Sequence, residues 1–376
     1  MPSMAIEMTR VTRRIVSLGL AATGLLGLSG RRARASAPLW FGTRLDAGQA
    51  AFATAFDSDG RAAIDLPLPA RGHGIAIAPD RRVAVVMGRR PGLFALAVEV
   101  PSGRVLAQVA PPEGRHFCGH AVFSADGRLL LATETDWEGE RGLIGVYDAA
   151  AGFARIAEWD TGGLDPHDVR LLPGGGRIVV ANGGILTHPD APGAKLNLAE
   201  MDSSLAIIDI GTGEIARQLR LSPELFQLSI RHLVIGADGG VGFVMQYEGP
   251  AGDAVPLAGL LRTDGTVTLL DMPRERLSDL RHYCGSAASD VSGTIFGMTS
   301  PRGGQAAFFR FADGAYLGSR PLSDVCPIAA DPARPGHFYM AGGHGGIERV
   351  SPGETGTQLA SPLARGALWD NHMALV

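Results

Sequence analysis

A unit of about 47 residues recurs along the chain, and repeats of this length mean propellers or solenoids. Each unit reads as an apolar strand, a tight polar turn, a second β-branched strand, a variable loop, a third strand ending near Asp, a Gly turn and a fourth strand. Turns between first and second strands recur at Pro79-Asp80-Arg81, Ala125-Asp126-Gly127, Pro173-Gly174-Gly175 and Ala237-Asp238-Gly239. Turns between third and fourth strands recur at Pro101-Ser102-Gly103, Gly211-Thr212-Gly213, Asp264-Gly265 and Asp313-Gly314. Such turns between alternating Val, Ile and Leu are hairpin signals, so each unit is a four-stranded antiparallel meander. The match of Arg115-His116-Phe117-Cys118-Gly119-His120 to Arg281-His282-Tyr283-Cys284-Gly285-Ser286 fixes two units in one register.

Six whole units span 71–112, 115–163, 164–223, 226–273, 281–324 and 325–362, while residues 40–69 supply about three strands and 367–376 one. The predicted fold is therefore all-β, a seven-bladed β-propeller of the WD40/YVTN type. Its ring closes when the strand from Leu368 to Leu375 pairs with the N-terminal strands, leaving no open sheet edge. The 52 Gly and 24 Pro among 376 residues fit this density of turns and argue against a helical repeat.

The first 35 residues stand apart from the repeat. Arg13-Arg14 precede a Gly-interrupted apolar run that ends at Leu28 and meets Arg31, Arg32 and Arg34. This is the layout of a cleaved export signal, and the apolar run is too short to cross a bilayer about 30 Å thick as a helix. Twin Arg and a weak apolar core predict a twin-arginine (Tat) signal over 1–35, despite Val16 where Phe or Leu is usual; a Sec-type signal or an uncleaved anchor is the alternative. Cleavage is expected after Ala35, the propeller is expected to be one domain over 36–376, and the expected address is the periplasm, with no membrane span in the mature chain.

Without that leader the chain carries 28 basic and 37 acidic groups, and no basic stripe remains to neutralise phosphates, which excludes nucleic acid as a partner. The three Cys, at 118, 284 and 326, allow at most one disulfide. Cys118 and Cys284 hold equivalent positions three blades apart, which leaves Cys284 with Cys326 as the candidate pair. No C-x-x-C-H haem attachment and no C-x-x-C zinc ribbon is present.

The short hairpin turns lie on one face of such a ring, and the irregular connections on the other. These include Gly88-Arg89-Arg90-Pro91, Glu134 to Arg141, Asn182 to Asp202, Gln246 to Pro256, Ser300 to Gly304 and Gly342 to Gly346. Function is expected there, because irregular loops on a rigid scaffold carry binding groups. Five of the ten His, at 73, 120, 167, 232 and 372, fall at or just before a channel-lining first strand. Imidazoles from several blades around one axis suit a divalent transition metal, with iron or copper expected, or an anionic ligand. His73, His120, His167 and His232 form the candidate metal set; the competing reading makes them hydrogen-bonded spacers between blades. The register is imperfect, since His73 and His167 sit seven residues before their turns and His120 and His232 six.

The longest insertion holds His188, Asp190 and Lys195, the single Lys beside 33 Arg. It reads either as a lid over the opening or as a loop folded on its own Asn and Asp turns. Arg71, Arg115, Arg231 and Arg281 precede first strands, where they pair with acids of the adjoining blade or attract a carboxylate- or phosphate-bearing ligand. Glu134, Asp136, Glu138 and Glu140 read as a solvated acidic loop whose spacing matches no EF-hand. There is no Ser, His and Asp set at nucleophile-elbow spacing, no P-loop and no dinucleotide fingerprint.

Several segments resemble one known family: Arg71-Gly72-His73-Gly74-Ile75-Ala76, Gly114-Arg115-His116-Phe117, Gly119-His120, and Asn182-Gly183-Gly184-Ile185 with Thr187-His188-Pro189-Asp190 and Lys195-Leu196-Asn197-Leu198. Leu228-Ser229-Ile230-Arg231-His232-Leu233 and Ser300-Pro301-Arg302-Gly303 belong to the same pattern. The chain over 40–376 is similar to an uncharacterised family of Tat-exported bacterial propeller proteins. The resemblance implies a periplasmic seven-bladed propeller, in a family often encoded beside imelysin-like iron-uptake proteins and haem-type oxidoreductases. It adds Asn182 and Arg302 to the ligand-binding candidates Arg71, Arg115, Arg231, His188, Asp190 and Lys195. Cys118 and Cys284 depart from the pattern, where Tyr and Val are commoner. The expected function is a binding or accessory protein that holds a metal, or a metal-bearing small ligand, at the axial opening and serves iron or related metal acquisition beside periplasmic iron-uptake proteins. The alternatives are a lactonase-like metal-dependent hydrolase, an oxidoreductase subunit or a protein-docking platform.

Overall fold

The computed structural model describes residues 38–376, apart from Pro192, Ser361, Pro362 and 364–366; the expected export signal and its cleavage site at Ala35 lie outside the described residues. Residues 38–376 form seven four-stranded antiparallel sheets, the predicted number of blades. The first blade joins the two ends of this unit. Leu368–Leu375 pairs with Trp40–Leu45, and Ala51–Phe56 and Ala62–Pro67 follow outward. Blades two to seven span 72–109, 115–160, 166–220, 228–269, 286–321 and 325–358.

The innermost strand of each blade packs against the innermost strands of its two neighbours, so the ring is continuous through the first blade. Period-2 patterning explains how the blades stack. Inner strands such as Arg177–Asn182 are buried on both faces, and outermost strands such as Ala154–Asp160 are largely exposed. Between the fifth and sixth blades Phe243, Phe296, Phe309 and Phe311 are buried together. At the seam of the first and seventh blades Trp40 lies 4.2 Å, ring to ring, from Tyr339 and donates its indole N–H to the Ala330 carbonyl at 3.1 Å. Trp369 of the C-terminal strand packs 5.2 Å from Phe56. Among the described residues no helix is long and apolar enough to cross a membrane.

A candidate metal centre at the axial opening

The sheet ladders are regular except where the innermost strands approach the mouth of the channel. In the second blade the register slips between Gly72 and Ile75, in the third between Phe117 and Ala121, in the fourth between Pro166 and Asp168, and in the fifth between Ile230 and His232. In the first blade, three residues, 370–372, face only Thr43. Bulges add residues on one side of a ladder and re-aim side chains. Here each falls at or beside an axial His.

The five imidazoles converge. His73, His120, His167, His232 and His372 are all buried, and ring centroids of contacting pairs are 4.5 to 6.1 Å apart. They come from five consecutive blades of the ring. In the sixth blade the equivalent position is Ser286, whose hydroxyl is 3.0 Å from His372 Nδ1.

Ligand nitrogens of His120, His232 and His372 lie within 4.8 Å of one another, as do those of His73, His120 and His167. The two sets differ in their supports. His120 Nδ1 is 3.4 Å from the Asp168 carboxylate, an acceptor that favours the tautomer with its proton on Nδ1. His372 Nδ1 shares a hydrogen bond of 3.0 Å with the Ser286 hydroxyl. Nε2 of His120, Nε2 of His372 and both nitrogens of His232 are buried with no hydrogen-bond partner. Buried polar atoms are nearly always satisfied, so four orphans in one cluster call for a partner from outside the chain, an ion or a water. His167 is different: Arg231 donates to its Nδ1 at 3.1 Å, which places the neutral ring's proton on Nε2 and weakens it as a ligand. His73 Nδ1 is 3.3 Å from Asp370 Oδ1.

Burial sets the protonation of this cluster. Desolvation, reinforced by neighbouring cations and imidazoles, pushes His120, His167 and His372 well below the usual His range, and burial with the neighbouring imidazoles does the same to His232. His73 is lowered by burial, with Asp370 opposing. Neutral imidazole is the metal-binding form.

Against three of the imidazoles lies a cavity of about 140 Å³, lined by His73, His167, His232 and by Arg89, Arg90, Arg231, Cys118, Gln246, Tyr283 and Asn371. Arg71 and Arg89 both pair with Asp370, and Arg90 and Arg231 both pair with Asp165. Burial alone would raise both carboxyls, but His73, Arg89 and Arg71 hold Asp370 well below the carboxylate range, and Arg231 and Arg90 lower Asp165.

The sequence candidates divide sharply. Arg231 lines the cavity, and Arg71 reaches it through Asp370. Arg302 stacks 4.2 Å over the ring of Tyr283, a cavity residue. Arg115 is turned away into an ion network with Glu158, Glu134 and Asp136 of its own blade. Asn182 is a buried brace that donates to the Thr161 carbonyl at 2.8 Å and to Ser204 at 3.1 Å. The insertion does not deliver a lid to the cavity. His188 Nδ1 accepts from the Asp190 backbone at 3.2 Å, and Lys195 pairs with Glu248 outside the lining. The acidic loop departs from its expected solvated state at Glu134, which is fully buried and accepts from Tyr147 at 2.5 Å and Arg155 at 2.9 Å. All three cysteines are free, so Cys284 and Cys326 are not paired. Burial pushes the Cys118 and Cys326 thiols up to about 12, which keeps them protonated and poor ligands.

Asp165, Asp168, Ser286 and Asp370 went unrecognised in the sequence. Their signal was available only in part: Pro166-His167-Asp168 and Asp370-Asn371-His372 both place Asp within two residues of an axial His.

No match was found among curated proteins. Among solved structures the chain is similar to hydrazine synthase of Kuenenia stuttgartiensis, with a TM-score of 0.63 and 14% identity over 87% of this chain and 99% of that one, a likeness of fold alone. The model of an uncharacterised family, described as "Protein of unknown function (DUF1513)", matches residues 66–376, which include all five axial His, and the chain belongs to that family.

Proposed function

We propose that this propeller is a metal-binding accessory protein that holds one divalent transition ion on His120, His232 and His372 at its axial opening. One observation carries the reading: three buried imidazoles from the first, third and fifth blades bring ligand nitrogens within 4.8 Å of one another, and each ring has a buried nitrogen without a hydrogen-bond partner. Three His with an open fourth position form a common binding set for zinc, copper and iron, and an Asp or Ser on the distal nitrogen strengthens such ligands. His73 is the reserve ligand on the second-blade side. The expected setting is the periplasm after Tat export, and the expected service is iron or related metal acquisition.

Protein isolated from its native compartment should carry close to one equivalent of iron or copper by elemental analysis. In calorimetry with zinc, His120→Ala, His232→Ala and His372→Ala should each lose at least tenfold in affinity. Wild-type protein that takes up no more metal than the triple variant would sink the proposal.

A further inference from the structure

The cavity over the imidazoles is strongly biased in charge. Four guanidiniums, Arg71, Arg89, Arg90 and Arg231, meet two carboxylates, Asp165 and Asp370, an excess of two positive charges with the imidazoles neutral. Asp168 adds nothing to this count, because Arg170 pairs with it at 3.0 Å. The carboxylates are outside the lining, with side chains only 2% exposed, whereas Arg89 and Arg90 line the cavity and are 34% and 26% exposed. Arg89 and Arg90 each give one terminal nitrogen to a carboxylate, and their remaining N–H groups are left for another acceptor. Arg231 is 4% exposed, and its Nε has no partner. Guanidinium forks on a concave wall match the planar oxygens of a carboxylate or carbonate.

Size narrows the class. A water occupies roughly 30 Å³, so about 140 Å³ holds four or five water-sized groups. Sites for drug-sized ligands start at about 300 Å³. A porphyrin or an iron chelate does not fit whole, and a formate, carbonate or oxalate does.

We propose that the axial cavity is a subsite for a small planar oxyanion, a carbonate or short carboxylate, gripped by Arg89, Arg90 and Arg231 and set against the imidazole floor. The inference deepens the metal reading by naming what shares the mouth with the ion. It rests on that reading for the anion's inner partner, while the arginine cage stands on its own geometry. A cation held under an oxyanion is neutralised within the site, so the ion and the anion would be captured and released together.

The test separates the two. Metal-free protein is titrated calorimetrically with oxalate and with citrate, and zinc is titrated separately in an oxyanion-free buffer. Oxalate should bind one to one and citrate should not. Arg89→Gln and Arg90→Gln should each weaken oxalate at least tenfold, with Arg89→Lys intermediate, while zinc affinity is unchanged or higher. Each of these changes leaves Asp370 or Asp165 one arginine partner, and unchanged melting curves check the fold. Wild-type protein that ignores oxalate, that binds citrate equally well, or that binds oxalate no better than folded Arg89→Gln overturns the subsite, whatever zinc does. Oxalate binding without zinc binding would instead overturn the metal reading and leave the subsite in place.

Discussion

An imidazole buried among cations is costly to protonate, and this chain buries five of them together. The sign of the effect on stability follows from linkage. Each of these His has a folded-state pKa below its unfolded value of 6.5, so below pH 6.5 the unfolded chain takes protons that the folded one refuses. Stability is therefore full above pH 6.5 and is lost as pH falls from there, by roughly 1 kcal/mol per pH unit for each imidazole involved. Asp165, Asp168 and Asp370 face the cluster, but Arg90, Arg231, Arg170, Arg71 and Arg89 already neutralise them, so Asp370 at His73 and Asp168 at His232 oppose the effect of burial only in part. Urea denaturation of metal-free protein at pH 7.5 and 5.5 should show a large loss, and His232→Asn should show a smaller one. Equal losses would mean that the cluster is not held neutral. The identity of these residues was legible because His recurs before one strand of the repeat. Their polar partners were not, because Asp168 and Ser286 reach His120 and His372 only across blade boundaries.

At the scale of the strand, the site is a product of broken register. Gly119 lies inside the third-blade bulge at φ +106°, a left-handed conformation, and a Cβ there would sit 2.5 Å from His73 Cδ2 of the second blade. Gly119→Ala should therefore cost about 1–3 kcal/mol through strain, push His73 away and shift the bulge that carries the adjacent ligand His120, with metal affinity weakened at least tenfold. Gly127→Ala is the control. Its φ is +73°, and its Cβ would meet only Pro79 at 3.4 Å, in the hairpin turn between first and second strands. It should cost about 1 kcal/mol and leave zinc binding unchanged; comparable loss of zinc in both variants would refute a positional role for the bulge. Strands and hairpins were readable because alternation and turn chemistry are local. The bulges were not, since a slip depends on which residue of the next strand sits opposite. Distance misled in the same way at the insertion. Lys195 looked poised over the opening, and it is drawn aside by Glu248, 53 residues later in the chain.

For the whole propeller, closure and site formation are one event. The strand Leu368–Leu375 supplies Asp370, Asn371 and His372 to the mouth, and it is also the innermost strand of the blade that joins the two ends. His372 stands in the first blade, His120 in the third and His232 in the fifth, so an ion shared by them spans the ring across its seam. Truncation before Ala367 should remove the Trp369 contact with Phe56 and the seam ladder together, and unfold the unit cooperatively rather than fray one end. A ligand that binds only the closed ring stabilises it by about 2.7 kcal/mol at a hundredfold excess over its dissociation constant. Zinc at that excess should therefore raise the melting temperature of the full chain by a few degrees. His372→Ala should keep its fold, because Leu368, Trp369, Met373, Ala374 and Leu375 still pair with Trp40–Leu45, but its melting temperature should no longer respond to zinc. A truncated chain that melts like the intact one would refute closure by the C-terminal strand, and a His372→Ala variant that zinc stabilises as fully as wild type would remove His372 from the ion's ligands.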